Sequence, residues 1–305
     1  MSDIKLFQID GGGVTPLKAE TVALEKSLQN LIEKHLEALL GVRFLGSEYS
    51  TGKKHGGRID TLGIDENGCP VIIEYKRHLN ENVINQGLYY LDWLLDHQAE
   101  FKLLVMEKLS PEDAKSIDWS SPRLLCIAGS FTKYDGHAVD QINRNIELIR
   151  YARYGDGLLL LDLVNRTVAV TDGGGDEGTT QLPTKTSNPP VGDLLGNLSP
   201  KLDDLWSALK EFLLGLGNAE EVTIKETKLY VAFRRLKNFV CVRPTMKFLT
   251  VWTKVDPDSL ELQEGFTRDV RSVGHYGTGD LEVTLHTLAD LEKAKPLLVR
   301  AFEDN

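Results

Sequence analysis

The sequence predicts an α/β domain built on a mixed sheet with flanking helices, followed by a smaller α+β domain. Three observations carry that reading. Residues 57–90, GRIDTLGIDENGCPVIIEYKRHLNENVINQGLYY, read as strand, tight turn, strand and helix. Alternating strand and helix patterns continue to about residue 170, as expected for a sheet covered by helices. Asp172 to Ser199 is glycine-rich, holds Pro189-Pro190 and shows no periodicity, so it reads as a linker. The expected divisions are 1–170, a linker at 171–199, and 200–305.

In chain order, Lys5–Ile9 is a short strand closed by Gly11-Gly12-Gly13. A helix over Pro16–Leu40 follows, with Leu24, Leu28, Leu31, Ile32, Leu36 and Leu39 as its apolar stripe and Gly41 as its stop. Val42–Tyr49 is the first core strand, and Ser50–Gly57 a loop rich in lysine and glycine. Asn67-Gly68 is the strongest turn signal in the chain, between Thr61-Leu62-Gly63-Ile64 and Val71-Ile72-Ile73. Asn80 or Asn82 caps the next helix, which runs to about His97 with Val83, Ile84, Gly87, Leu88, Leu91 and Leu94 inward. Strands at Phe101–Met106 and Arg123–Ala128, a helix at Val139–Tyr154 and a strand at Gly157–Leu163 complete the first domain. On that last helix Arg144, Arg150 and Arg153, beside Tyr151 and Tyr154, either line a nucleic-acid groove or form a solvated face. The second domain has a helix near Leu205–Leu214, strands at Val222–Lys225, Leu229–Phe233, Phe239–Pro244 and Leu249–Lys254, and a helix at Leu288–Glu303.

The chemistry concentrates on the hairpin. A three-residue loop, Glu66-Asn67-Gly68, with glycine in the left-handed conformation pairs Asp65 with Cys69 and places Asp60 opposite Glu74; a bulge would shift this by one residue. Opposed residues have Cβ atoms roughly 4.5–5.5 Å apart, close enough for two carboxylates to grip one cation. Lys76 shares the face of Glu74, while Val71, Ile73 and Tyr75 point the other way. Close carboxylates repel, and Mg²⁺ or Mn²⁺ relieves the repulsion through hard oxygen ligands. A neighbouring lysine can orient or deprotonate a water for attack on a phosphodiester. The competing reading is a hairpin with a solvated charged face; Val-Ile-Ile ahead of Glu-Tyr-Lys argues for a buried central strand instead.

GRIDTLGID, the spacing from Asp60 to Glu74, EYKR and the following Gln86 and Tyr90 resemble the PD-(D/E)XK nuclease superfamily, most closely the catalytic domain of the NucS/EndoMS endonucleases. The resemblance spans about residues 20–105. It implies a restriction-endonuclease-like mixed sheet in which Asp60, Glu74 and the Tyr75 carbonyl bind Mg²⁺ or Mn²⁺, and Lys76 serves the attacking water. It also puts Gln86 and Tyr90 on the helix flanking the site. In that family the first helix offers an acid to the metal; Glu25 is the choice here and Glu33 its competitor. The DNA-binding domain that precedes the nuclease domain in NucS/EndoMS is missing, so mismatch specificity does not carry over. The second domain resembles a small uncharacterised domain appended to other proteins, which implies no activity. Arg234, Arg235, Lys237, Arg243 and Lys247 interleave there with Phe233, Phe239 and Phe248, a pattern shared by single-strand binders and by half-buried sheets.

The expectation is therefore a metal-dependent DNA endonuclease, with a nucleic-acid-binding or protein-interaction module of lost catalysis as the alternative. The net charge of −10 argues against a dedicated DNA binder, with 19 basic and 24 acidic residues up to position 170 and 16 and 21 beyond it. Lys53, Lys54 and Arg58, and Arg77 beside Lys76, supply local basic clusters for nucleic acid. His55 reads as a loop histidine, within reach of phosphate, rather than a catalytic base, and Glu48 as an acid supporting the site. Cys69, Cys126 and Cys241 are odd in number and unpatterned, as suits a reducing cytoplasm. No targeting or membrane segment is visible, so a cytoplasmic location without membrane partners is expected. Cutting two strands takes two active sites, which makes a homodimer plausible.

Overall fold

The structure is a computed structural model that describes residues 4–20, 25–76, 83–155, 157–169, 189–217 and 221–305. The chain divides into two compact units, Met1–Gly174 and Gly175–Asn305. The first contains, in order, β1 (Leu6–Asp10), β2 (Gly13–Leu17), β3 (Ala19–Glu20), α1 (Glu25–Lys34), α2 (Leu36–Leu40), β4 (Val42–Ser50), α3 (Gly52–His55), β5 (Arg58–Asp65) and β6 (Pro70–Lys76). There follow α4 (Val83–Asp96), α5 (Gln98–Lys108), α6 (Pro111–Lys115), β7 (Arg123–Ala128), α7 (Lys133–Asp140), β8 (Asn145–Tyr154) and β9 (Leu158–Thr167).

These strands form a mixed sheet of order β3-β8-β7-β6-β5-β4, with β9 also pairing to β8. β6, β7 and β8 are parallel neighbours, and the remaining pairs are antiparallel. Every residue of β7 is buried, as expected for a central parallel strand covered on both faces. One face carries Leu62, Ile64, Ile72, Leu124 and Leu148 against Leu91 and Leu94 of α4 and Val105 of α5. Gly68 takes φ +81, the left-handed conformation the turn demands, and the Asp65 amide donates to the Cys69 carbonyl at 2.9 Å. The register Thr61↔Ile73 to Ile64↔Pro70 is the one that turn sets.

Three assignments need correction. The long first helix is shorter, because β2 and β3 occupy residues 13–20 and the remainder is split at His35 into α1 and α2. Residues Phe101–Met106 are helical within α5: Phe101 and Val105, four apart, are buried while Leu103 and Met106 are exposed. A short apolar run does not distinguish strand from helix. The helix expected at Val139–Tyr154 stops at Asp140, and the arginine–tyrosine run is strand β8. Tyr151 and Tyr154 are buried, so they present no stacking surface to a groove.

The second unit holds α8 (Val191–Gly196), α9 (Pro200–Leu214), β10 (Thr223–Glu226), β11 (Val231–Arg234), β12 (Asn238–Pro244), β13 (Leu249–Thr253), β14 (Thr267–Asp269), β15 (Leu281–Leu285) and α10 (Leu288–Glu303). Its antiparallel sheet, β10-β11-β12-β13-β15-β14, packs one face on leucines of α9 and α10. Phe233 and Phe239 are fully buried in that core and cannot stack on bases. Arg235 lies over Phe302 and Arg243 over Tyr276, so the interleaved pattern at these positions is internal packing. The architecture is thus a mixed sheet flanked by helices followed by a smaller α+β unit. Among the described residues no helix is long and apolar enough to cross a membrane.

Candidate active site

β5 and β6 part company part-way along. Their backbone pairing ends at Thr61↔Ile73, although β6 stays paired with β7 to Lys76 and β5 with β4 to Arg58. Two carboxylates fill the fork. The Asp60 amide donates to Glu74 Oε1 at 3.1 Å, and the Tyr75 amide donates to Asp60 Oδ2 at 3.0 Å. Each acid thus accepts from the backbone of the opposite strand, in place of the carbonyl a continued ladder would offer. Asp60 is half-buried and Glu74 fully buried. Strand alternation puts Lys76, half-buried at the end of β6, on the face of Glu74.

The reverse face is held by α1. Buried Gln29 donates the two protons of Nε2 to the Asp60 carbonyl at 2.7 Å and to Glu33 Oε1 at 2.9 Å, with Ser47 Oγ also 3.2 Å from that nitrogen. Glu33 also accepts from the Thr61 hydroxyl at 2.6 Å, and that hydroxyl in turn accepts from the Tyr75 hydroxyl at 3.3 Å. Glu33 therefore serves the face away from Asp60 and Glu74, and it is not the first-helix acid for a metal between them. Burial pushes the Tyr75 phenol well above its ordinary range, and the charges of Glu33, Asp60 and Glu74 push the same way. Burial likewise raises the Cys126 thiol, with Glu74, its register neighbour, adding to the effect. Both groups stay neutral beside the carboxylates. Gln29 was missed in the sequence; an amide at the i+4 position between Glu25 and Glu33, on a leucine-rich helix, was the available signal.

Gln86 Nε2 donates to the Tyr90 hydroxyl at 3.2 Å, and that hydroxyl also accepts from the Arg58 amide at 3.2 Å. The Tyr90 ring lies so close to Gly57 that an added Cβ would meet it at 2.6 Å, so glycine is required there. These residues anchor the start of β5, two positions before Asp60. Lys53 and Arg58 are exposed, and Arg58 Nε lies 3.9 Å from Glu48 Oε2, which also meets Lys26 through Oε1 at 3.1 Å. Glu48 has φ +50, the only non-glycine residue with positive φ among those described. His55 packs against Tyr89 and His97. Arg77 lies outside the described residues, as do the side chains of Glu25 and Lys54.

Among the described residues, no three His, Cys, Asp or Glu side chains form a group that could hold a metal. Mg²⁺ does not need one: it keeps several waters and binds through one or two carboxylates plus substrate phosphates. Asp60 and Glu74 fit that donor set, and a carboxylate has acceptor capacity beyond one amide bond.

A domain of unknown function, DUF5655, matches residues 191–305. An uncharacterised protein of Haemophilus influenzae is 29% identical over 310 residues, covering 99% of this chain and all of that protein. Among solved structures, a repair endonuclease from Pyrococcus abyssi is similar at TM-score 0.29 and 19% identity, over 43% of this chain and 48% of that one. An EndoMS–double-stranded DNA complex matches at TM-score 0.25 and 21% identity, over 43% and 47%. The chain thus spans just under half the length of each of these structures.

Proposed function

We propose that this chain is a metal-dependent DNA endonuclease that hydrolyses phosphodiester bonds at Asp60, Glu74 and Lys76. The observation that carries the reading is the reciprocal bonding of the two carboxylates across the β5–β6 fork. It fixes both acids on rigid strands, aimed at the gap the ladder leaves. Asp60, Glu74 and the Tyr75 carbonyl would hold Mg²⁺ or Mn²⁺. Such an ion supplies Lewis-acid stabilisation of charge on the phosphate and lowers the pKa of bound water.

The chain's own residues do the rest. Lys76 orients the attacking water, takes up its proton or stabilises the phosphorane charge from the face of Glu74. Gln29 from behind and Tyr90 from α4 hold the strand that bears Asp60 in register. Lys53, Lys54, Arg58 and Arg77 are the residues proposed to meet the nucleic-acid backbone.

The test is purified full-length protein incubated with duplex, branched and single-stranded DNA and with RNA, in Mg²⁺, Mn²⁺ or EDTA. Wild type should cut DNA only with metal, and Lys76→Ala should lower the rate by about 10²-fold or more while binding persists at low salt. Nucleic-acid binding without cleavage of any substrate would favour the binding-module reading. Duplex cutting would further require a dimer, which sedimentation would reveal.

A further inference from the structure

Glu48 stands beside the candidate site in a backbone conformation that residues with a side chain disfavour. Its φ of +50 lies in the left-handed region. β4 and β5 pair Ser47 with Thr61 and Tyr49 with Ile59, which by count sets Glu48 opposite Asp60. Glycine adopts this φ without penalty, so a glutamate held there points to a use for its carboxylate.

That carboxylate begins a chain of contacts that ends on Asp60. Glu48 Oε1 accepts from Lys26 Nζ at 3.1 Å. The same ammonium donates to Gln29 Oε1 at 3.0 Å and lies 3.5 Å from Ser47 Oγ. Gln29 Nε2 in turn holds the Asp60 carbonyl at 2.7 Å. A donor on the oxygen of an amide polarises it and strengthens the bonds its N–H groups give. The other carboxylate oxygen, Oε2, lies 3.9 Å from Arg58 Nε, two positions before Asp60 on the same strand. Glu48 thus bears on Asp60 from α1 and from the start of β5. Lys26 and Glu48 both meet solvent, and an ion pair of that kind adds little stability. Its effect is on geometry.

We propose that Glu48 is a positioning residue for the metal-binding carboxylate of Asp60, acting through Lys26 and Gln29. The left-handed backbone sets the Glu48 carboxylate against Lys26. Lys26 and Gln29 then fix the main chain of Asp60, and with it the direction of the side chain beside Glu74. The proposal rests on the endonuclease reading, because it gives Asp60 the metal.

The test is isothermal titration calorimetry of Mn²⁺ into the full chain without DNA, with DNA cleavage assayed in parallel. Groups that orient metal ligands contribute roughly 10–100-fold to metal affinity. Glu48→Gly keeps the backbone conformation, and it should weaken Mn²⁺ binding by about 10-fold and slow cleavage at limiting Mn²⁺. Lys26→Met should weaken it too, and the double variant should lose no more than the worse single one, since both break one chain of contacts. Charge alone gives a different result: losing an acid weakens cation binding, and losing a lysine strengthens it. Lys26→Met decides the matter if Glu48→Gly fails to fold. Unchanged or tighter Mn²⁺ binding by Lys26→Met, or unchanged binding by folded Glu48→Gly, overturns the positioning role even if wild type cuts. An ion pair that only braces α1 on β4 would lower the melting temperature and leave Mn²⁺ affinity as in wild type. Weaker binding by both variants of a chain that never cuts leaves the role standing and removes the endonuclease. A wild type that binds no Mn²⁺ overturns both.

Discussion

Asp60→Asn separates what the fold needs from what the chemistry needs. Asparagine keeps an oxygen to accept from the Tyr75 amide, so the bond at 3.0 Å survives while the charge goes. Directly opposed residues have Cβ atoms about 5 Å apart. Two unit charges at that distance repel by about 1 kcal/mol in water and about 3 kcal/mol at an effective dielectric constant of 20. Glu74 is fully buried, but Lys76 on the same face offsets part of the repulsion and Asp60 is partly exposed to solvent, so the net is taken at the lower figure. In EDTA the variant should therefore be about 1 kcal/mol more stable than wild type. With Mn²⁺ at 100 times its Kd, wild type should gain about 2.7 kcal/mol. At about 2–4 °C per kcal/mol for a unit of this size, that is a rise in Tm of roughly 5–10 °C. Asp60→Asn should lose that rise. Differential scanning calorimetry with and without metal reads both effects. A variant less stable than wild type in EDTA, or one with an intact Mn²⁺ response, would refute the reasoning.

Arg123→Ala should destabilise the first unit by about 3 kcal/mol without altering the metal response, because it removes the buried guanidinium that Asp65 and Glu147 share at 3.1 and 2.8 Å, although Glu147 keeps Arg166 at 3.5 Å and Asp65 the amides of Asn67 and Cys69. Urea denaturation checks this, and a loss below 1 kcal/mol would mean that the site is open to water. The cap of α10 should be acid-labile. Burial alone would raise the Asp290 pKa, but the amides of His286 and Thr287 and the Thr287 hydroxyl outweigh it and hold the carboxyl below its usual value. A depressed pKa gives stability that is complete above about pH 4 and lost as pH falls through the folded value. Asp290→Ala should thus cost about 1 kcal/mol at pH 7 and progressively less below pH 4, as followed by circular dichroism.

The hairpin was legible because one turn fixes everything on it. Asn67-Gly68 sets the register, and counting back places Asp60 opposite Glu74. The helix expected at Leu288–Glu303 is α10, and the structure adds the capping box of Thr287 and Asp290 that fixes its start. What failed was long-range. Ile146 and Ile149 share helical spacing by coincidence, while the β-branched and aromatic run belongs to a strand with a register shift between Leu148 and Ile149. Gln29 meets Asp60 across 31 positions, and Arg123 meets Asp65 across 58, so no local pattern announces either contact. Buried polar partners of this kind are chosen by the packed sheet and are invisible to periodicity.

The fork explains why acids stand where a continuous ladder would need only carbonyls. β5 turns with β4 and β6 stays with β7, so the amides of Asp60 and Tyr75 lose their cross-strand partners. A buried amide left without an acceptor costs about 1–3 kcal/mol. The carboxylates of Glu74 and Asp60 remove that cost for both. Yet the fold asks only for acceptors. Asparagine and glutamine would satisfy the same amides with neutral oxygens, and without the repulsion that two charges add in a place where Glu74 is fully buried. Charge at these two positions therefore exceeds what the backbone amides require, and that is the feature on which the proposed metal site depends.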